Sequence, residues 1–174
     1  MAYYLLRDHP GISYLNLDLP ESLALASYYL MTAFPHLRCL FYGEGKITEK
    51  AIADFDVILM PLFELATMPD NCVDLSFSSH ALSDISTKAS VDYLDNIART
   101  TRKLFYNIGV AHIEQEVPPK VCGRCGSFKL AEIQASAWNG HKNPAAVEVE
   151  CVYDVVKVTG IGIENPTGRR LAKV

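Results

Sequence analysis

Residues 12–17, Ile-Ser-Tyr-Leu-Asn-Leu, gather β-branched and aromatic positions between Pro10-Gly11 and Asp18-Leu19-Pro20, a pattern that predicts a short strand. Pro20 suits the first position of a helix, and Leu23, Ala26, Leu30 and Phe34 then recur at helical spacing up to Pro35. Residues 38–42 predict a second strand, closed by Gly43-Glu44-Gly45. Residues 56–60, Asp-Val-Ile-Leu-Met, are apolar almost throughout, as in a parallel strand covered on both faces. Another such run, Val73 to Phe77, ends in Ser78, Ser79 and His80. Ser86 then caps a predicted helix through Arg102, with Val91, Leu94 and Ala98 on one face, and residues 103–108 predict the next strand. Alternation of this kind is the rhythm of an α/β doubly wound fold, and residues 1–8 read as the end of a helix preceding it.

The last third changes character. Residues 114–126 are rich in Pro, Gly and Cys and read as a loop. Ser127 to Trp138 and Val147 to Val158 read as two long strands separated by the turn sequence Asn139-Gly140-His141-Lys142-Asn143-Pro144. With no helix between them they should pair antiparallel, giving a mostly parallel sheet with a C-terminal hairpin at one edge.

Composition narrows the function classes. The 174 residues are 49% apolar and 21% charged, which fits one folded domain able to bury a real core. A net charge of −4 without a basic cluster gives little pull toward nucleic acid or an anionic membrane surface. No apolar run approaches the roughly 20 residues that span a bilayer, and the apolar stretch Ala2–Leu6 is too short for a signal-peptide core. The 5 cysteines, Cys39, Cys72, Cys122, Cys125 and Cys151, are odd in number and mostly isolated, so a reduced, cytoplasmic setting is the expectation.

In an open α/β sheet, ligands gather at the carboxyl ends of the strands, and three polar groups fall at such ends. Asp18-Leu19-Pro20-Glu21 places a carboxylate just ahead of a helix, where it either accepts hydrogen bonds from the ribose of a nucleotide-like cofactor or caps the helix. Ser78 to Asp84 offers an imidazole, His80, and a carboxylate, Asp84, four residues apart; the pair suits a general base and its orienting acid, or else a turn whose side chains satisfy backbone amides. Cys122-Gly-Arg-Cys125 is half of a zinc knuckle, but a structural zinc needs four ligands and no second pair stands nearby, so an uncomplexed dithiol is the better reading. Gly160-Ile-Gly162 leads into Asn165-Pro166 rather than a helix and so cannot cradle a phosphate, and Trp138 reads as a core or hairpin aromatic in preference to a sugar platform.

Several of these segments together resemble the class I S-adenosylmethionine-dependent methyltransferases, and most closely the sugar O-methyltransferase family. The resemblance lies in Tyr14-Leu-Asn-Leu-Asp18-Leu-Pro-Glu21-Ser-Leu-Ala-Leu-Ala26 with Tyr28-Tyr29-Leu30, and in Val73-Asp74-Leu75 leading to Ser79-His80-Ala81-Leu82-Ser83-Asp84-Ile85-Ser86. Tyr93-Leu94, Phe105-Tyr106-Asn107, Trp138-Asn139 and Glu148-Val-Glu150-Cys-Val-Tyr153 extend it over about residues 1–155. It implies a Rossmann-like domain over residues 1–158, with 159–174 as a tail, and S-adenosylmethionine as cofactor. Asp18 with Leu19 would bind the ribose, Leu62 and Phe63 would lie near the adenine, and Ser79 would lie beside the methionine portion or the acceptor. His80 would be the base, and Asp84, standing where the family has Glu, its partner.

The family's first strand and glycine-rich turn have no counterpart before Asp18, so the resemblance implies an incomplete sheet with a gap, exposed edges that favour self-association, and weak or absent cofactor binding by residues 1–174. The expected substrate is a sugar or related small hydroxyl compound. Two other readings stand beside it: a catalytically silent remnant serving as an interaction module, and a small zinc module built on Cys122 and Cys125.

Overall fold

The structure, a computed structural model, describes residues 1–82, 85–110, 127–136 and 148–157. It divides into two compact units, one of Met1–Asp74 with Arg99–Arg102, the other drawn from Leu75–Ala98 and Lys103–Val174. The class is α/β, as the hydrophobic pattern predicts.

In the first unit, β1 (Tyr14–Asp18), β2 (Cys39–Phe41) and β3 (Val57–Pro61) form a parallel sheet in the order β1-β3-β2. The central strand is β3, and all of its residues are buried, which is why its sequence is apolar without alternation. Helices α1 (Ala2–Asp8) and α2 (Pro20–Ala33) bring Leu6, Leu23 and Leu30 against Val57 and Leu59. A short helix, α3 (Glu49–Asp54), is held at its start by Thr48 Oγ1, which accepts from the Ala51 N–H at 3.0 Å. Its 6 residues are too few to establish a helical period in the sequence. Beyond β3 the chain takes a 3-10 turn over Leu62–Thr67. Arg99 fastens that turn, donating to the carbonyls of Leu65 at 3.0 Å and Met68 and to the Asp70 carboxylate at 2.8 Å.

The second sheet has the order β4-β5-β7-β6, with β4 at Val73–Ser79, β5 at Thr101–Val110, β6 at Phe128–Ala135 and β7 at Glu148–Val155. β7 runs antiparallel to both β5 and β6, so the expected hairpin is present at the edge of this sheet. Leu94 and Ile97 of α4 (Thr87–Thr100) pack with Phe105, Phe128, Cys151 and Tyr153 in one buried cluster. Ser86 Oγ accepts from the Ala89 N–H at 3.3 Å, the cap predicted for α4. The helix stops at Thr100, two residues short of the predicted Arg102, because Thr101 is fully buried in β5 and β-branched residues favour the strand.

Among the described residues the strands therefore form two hydrogen-bonded sheets instead of one. β1 pairs with β3 alone and β4 with β5 alone. No helix of the described residues is long and apolar enough to cross a membrane.

Candidate functional site

The carboxyl ends of the first unit's strands bring four of the sequence-predicted residues together. Asp18 closes β1 in register with Pro61, the last residue of β3, so the carboxylate stands beside the strand that leads into Leu62 and Phe63. Its Oδ1 accepts from the Leu19 N–H at 2.7 Å. The helix-capping alternative does not hold, since the N-cap of α2 is Leu19 and no side chain caps it. Oδ2 of Asp18 accepts no hydrogen bond from the described residues.

An aromatic pair lies at the same strand ends. Tyr42 follows β2 and Phe63 follows β3; their rings are 5.5 Å apart, edge to face at 85°. Tyr42 is 58% exposed and Phe63 61%, so both keep ring surface open for a planar ligand. Leu19 and Leu62 are exposed as well. Sequence reasoning passed over Tyr42, although its place just before the Gly43 turn, where φ is +92°, marks it as a strand-end residue.

In the second unit, Ser79 ends β4 and His80 follows with φ of 62°, in the left-handed region that non-glycine residues rarely adopt. This turn breaks the strict alternation of the strand and brings the imidazole alongside the preceding hydroxyl. Ser79 Oγ is 2.9 Å from His80 Nδ1, and His80 Nε2 is 3.1 Å from Glu148 Oε1. The His80 N–H donates to the Ile108 carbonyl at 2.8 Å, which holds the turn to β5. A carboxylate can only accept, so facing one favours the tautomer in which Nε2–H donates to Glu148 and Nδ1 accepts from Ser79 O–H. The side chain of Glu148 is 14% exposed and that of His80 40%, so the carboxylate is sheltered while the imidazole reaches solvent.

The carboxylate on His80 in the described residues is thus Glu148, from β7. Ser83 and Asp84, the predicted partner among them, lie outside the described residues, as do Cys122, Cys125, the 139–144 turn, Trp138 and the Gly160-Ile-Gly162 segment. Glu148 lies in the Glu148–Tyr153 segment that carries the resemblance, which implies no role for it. The usable signal was alternation: Val149, Cys151 and Tyr153 are buried, which turns Glu148 and Glu150 to the opposite face of β7.

Two residues along that face, Glu150 gathers a second set of donors. Tyr106 O–H donates to Oε2 at 2.7 Å, Gln134 Nε2 to Oε2 at 2.9 Å and Ser136 Oγ to Oε1 at 2.9 Å. Burial, reinforced by the hydrogen bond to Glu150, pushes the Tyr106 phenol up to about 12. Phe77 packs on Tyr106 with ring centroids 5.5 Å apart.

No group of three or more His, Cys, Asp or Glu among the described residues has the geometry of a metal site. Cys39 and Cys72 are free thiols, and burial pushes both above the usual thiol value, away from thiolate chemistry.

Compared with known proteins, the chain matches no family profile and no curated protein. Among solved structures it is similar to the pyocyanin biosynthetic protein PhzM, at 16% identity and a TM-score of 0.46, over 88% of this chain and 54% of PhzM. It is similar also to a Sulfolobus solfataricus protein described as a type 11 methyltransferase, at 14% identity and 0.44, over 91% of this chain and 94% of the other. A third likeness is to LepI in complex with SAH and a substrate analogue, at 12% identity and 0.45, over 85% of this chain and 44% of LepI. The chain spans about half the length of the first of these.

Proposed function

We propose that this chain carries an S-adenosylmethionine-dependent O-methyltransferase domain, residues 1–158 with a tail at 159–174, acting on a sugar or related small hydroxyl compound. The observation that carries the reading is the chain of contacts from Ser79 through His80 to Glu148 at the end of β4, an imidazole oriented by a sheltered carboxylate. O-methylation needs a base that takes the hydroxyl proton as the oxygen attacks, and an imidazole whose tautomer is fixed by a carboxylate suits that task near neutral pH.

The cofactor's nucleoside fits the strand ends of the first unit. Asp18 Oδ2 would accept from a ribose hydroxyl, as an acidic residue at a strand end does in dinucleotide-binding folds. Tyr42 and Phe63, with Leu19 and Leu62, offer exposed apolar surface for a purine. When bound, the cofactor supplies an electrophilic methyl group. Within the first unit Asp18 would fix the ribose and the aromatic pair would set the plane of the base; within the second, taken by itself, His80 would hold a proton taken from a hydroxyl. The resemblance of residues 14–30 and 73–86 to the sugar O-methyltransferases supports the same assignment. It is also what points to a sugar as acceptor.

The test is transfer of labelled methyl from S-adenosylmethionine to a set of neutral monosaccharides. Asparagine tolerates the left-handed backbone found at His80, so His80→Asn removes the base with little disturbance of the turn. Labelling by the parent chain that falls at least about 100-fold in His80→Asn is expected. Labelling that is unchanged in the variant would remove His80 as the base.

A further inference from the structure

The orientation of His80 raises a question that the base assignment leaves open, namely which atom meets the acceptor. Both ring nitrogens are already engaged, Nε2 by Glu148 at 3.1 Å and Nδ1 by Ser79 Oγ at 2.9 Å. With Nε2–H committed to the carboxylate, the basic lone pair is on Nδ1, and Ser79 Oγ stands against it. Ser79 is exposed at the last position of β4, whereas Glu148 is sheltered on the far side of the ring.

We infer that Ser79 is a catalytic proton relay, the hydroxyl through which the acceptor's proton reaches His80, and not a contact to the cofactor. This rests on the methyl-transfer reading above. The acceptor O–H donates to Ser79 Oγ; as that bond breaks, its proton passes to Oγ and the proton of Ser79 passes to His80 Nδ1. The freed electron pair on the acceptor oxygen would form the bond to the methyl group that the cofactor supplies when bound, with the electron pair of the sulfur–carbon bond staying on the departing thioether. His80 becomes an imidazolium held by Glu148, and returns to neutral by losing a proton to solvent. Glu148 is the positioning residue, since its carboxylate keeps the proton on Nε2 and the lone pair on Nδ1, the atom that faces Ser79 Oγ.

The arrangement does not extend to covalent acyl chemistry, although serine, imidazole and carboxylate are in line. The backbone N–H of His80, which follows the hydroxyl, is used by the Ile108 carbonyl at 2.8 Å and is not available as an oxyanion donor. The hydroxyl is therefore placed to pass a proton more readily than to support a tetrahedral intermediate.

Two measurements on the full chain test the relay. The first is nitrogen NMR of the His80 ring, which reports the tautomer whether or not an acceptor is known. Expected is a protonated Nε2 with a bare, hydrogen-bonded Nδ1, whose signal moves in Ser79→Ala and is restored in Ser79→Thr. A proton on Nδ1 of the neutral ring, or a ring signal indifferent to Ser79→Ala, overturns the relay. The second compares S-adenosylhomocysteine affinity with transfer of labelled methyl to monosaccharides. Expected for Ser79→Ala is a loss of turnover of about 100-fold with affinity for S-adenosylhomocysteine unchanged, and recovery in Ser79→Thr. Lost affinity with turnover retained makes Ser79 a cofactor contact and overturns the relay. A parent chain that neither binds S-adenosylhomocysteine nor transfers methyl overturns the methyl-transfer reading itself, an outcome separate from the tautomer result.

Discussion

His80 Nε2 lies 3.1 Å from Glu148 Oε1 across 68 residues of sequence, joining the turn after β4 to the first residue of β7. Only the antiparallel pairing of β5 with β7 makes this contact, because Val110 faces Glu148 and Ile108, which accepts the His80 N–H, faces Glu150. The His80–Glu148 pair therefore depends on the register of that hairpin, and a one-residue slip would turn Glu148 into the core.

The first prediction concerns that carboxylate. Glu148→Gln keeps an acceptor for Nε2–H and loses the charge, while Glu148→Ala loses both. Turnover should fall by about 10-fold in the first and about 100-fold in the second, with affinity for S-adenosylhomocysteine unchanged in both. Steady-state kinetics beside calorimetric titration checks this; equal losses in affinity and turnover would place Glu148 in cofactor binding instead.

Tyr106 offers a pH signature that does not depend on activity. Its folded pKa, raised from 10.0 to about 12, means that the folded chain holds the phenol proton more tightly than the unfolded chain. The stabilisation is therefore intact below about pH 10 and is lost as pH rises through about 12. Ultraviolet titration should show a late phenolate component that disappears in Tyr106→Phe, and the variant should lose about 1 kcal/mol in denaturant unfolding as Glu150 gives up one donor.

Asp56 acts at the opposite end of the pH scale. The Arg38 guanidinium and backbone N–H, at 3.2 and 2.8 Å, hold its carboxyl below the ordinary value of 3.8. Its folded pKa is depressed, so its contribution is present above the ordinary value and is lost as pH falls below it. Asp56→Asn should lower stability at neutral pH and flatten the acid limb of the stability curve, its difference from the parent chain shrinking as pH falls below the ordinary carboxyl value of 3.8, measured by thermal unfolding across pH.

The second unit's core rests on Leu94, which is 0% exposed among Ile97, Phe105 and Tyr153. Leu94→Ala should cost about 2–5 kcal/mol in urea unfolding. A cost below about 1 kcal/mol would mean that α4 does not pack as described.

Local periodicity was enough to read much of this fold. The apolar run of β3, the helix from Pro20 and the Ser86 cap each depend on neighbours within a few residues, so their signals survive in a single sequence. The division into two sheets is a matter of which strands pair, and the expected gap in the sheet came from the resemblance and not from periodicity. Of the candidate site, Asp18, His80 and Ser79 announced themselves as polar residues closing apolar strands. Glu148 and Tyr42 did not: one acquires its partner only through the register of a distant hairpin, and the other gains its meaning only when β3 brings Phe63 to it.

The most direct measurement is calorimetric titration of the chain with S-adenosylhomocysteine, run in parallel on Asp18→Ala and His80→Asn. Expected is weak, saturable binding that Asp18→Ala abolishes and His80→Asn leaves in place, since the carboxylate at the end of β1 holds the ribose and the imidazole serves the acceptor. No binding by the parent chain, or binding indifferent to Asp18, would contradict the assignment of this strand end to the cofactor and with it the methyl-transfer reading.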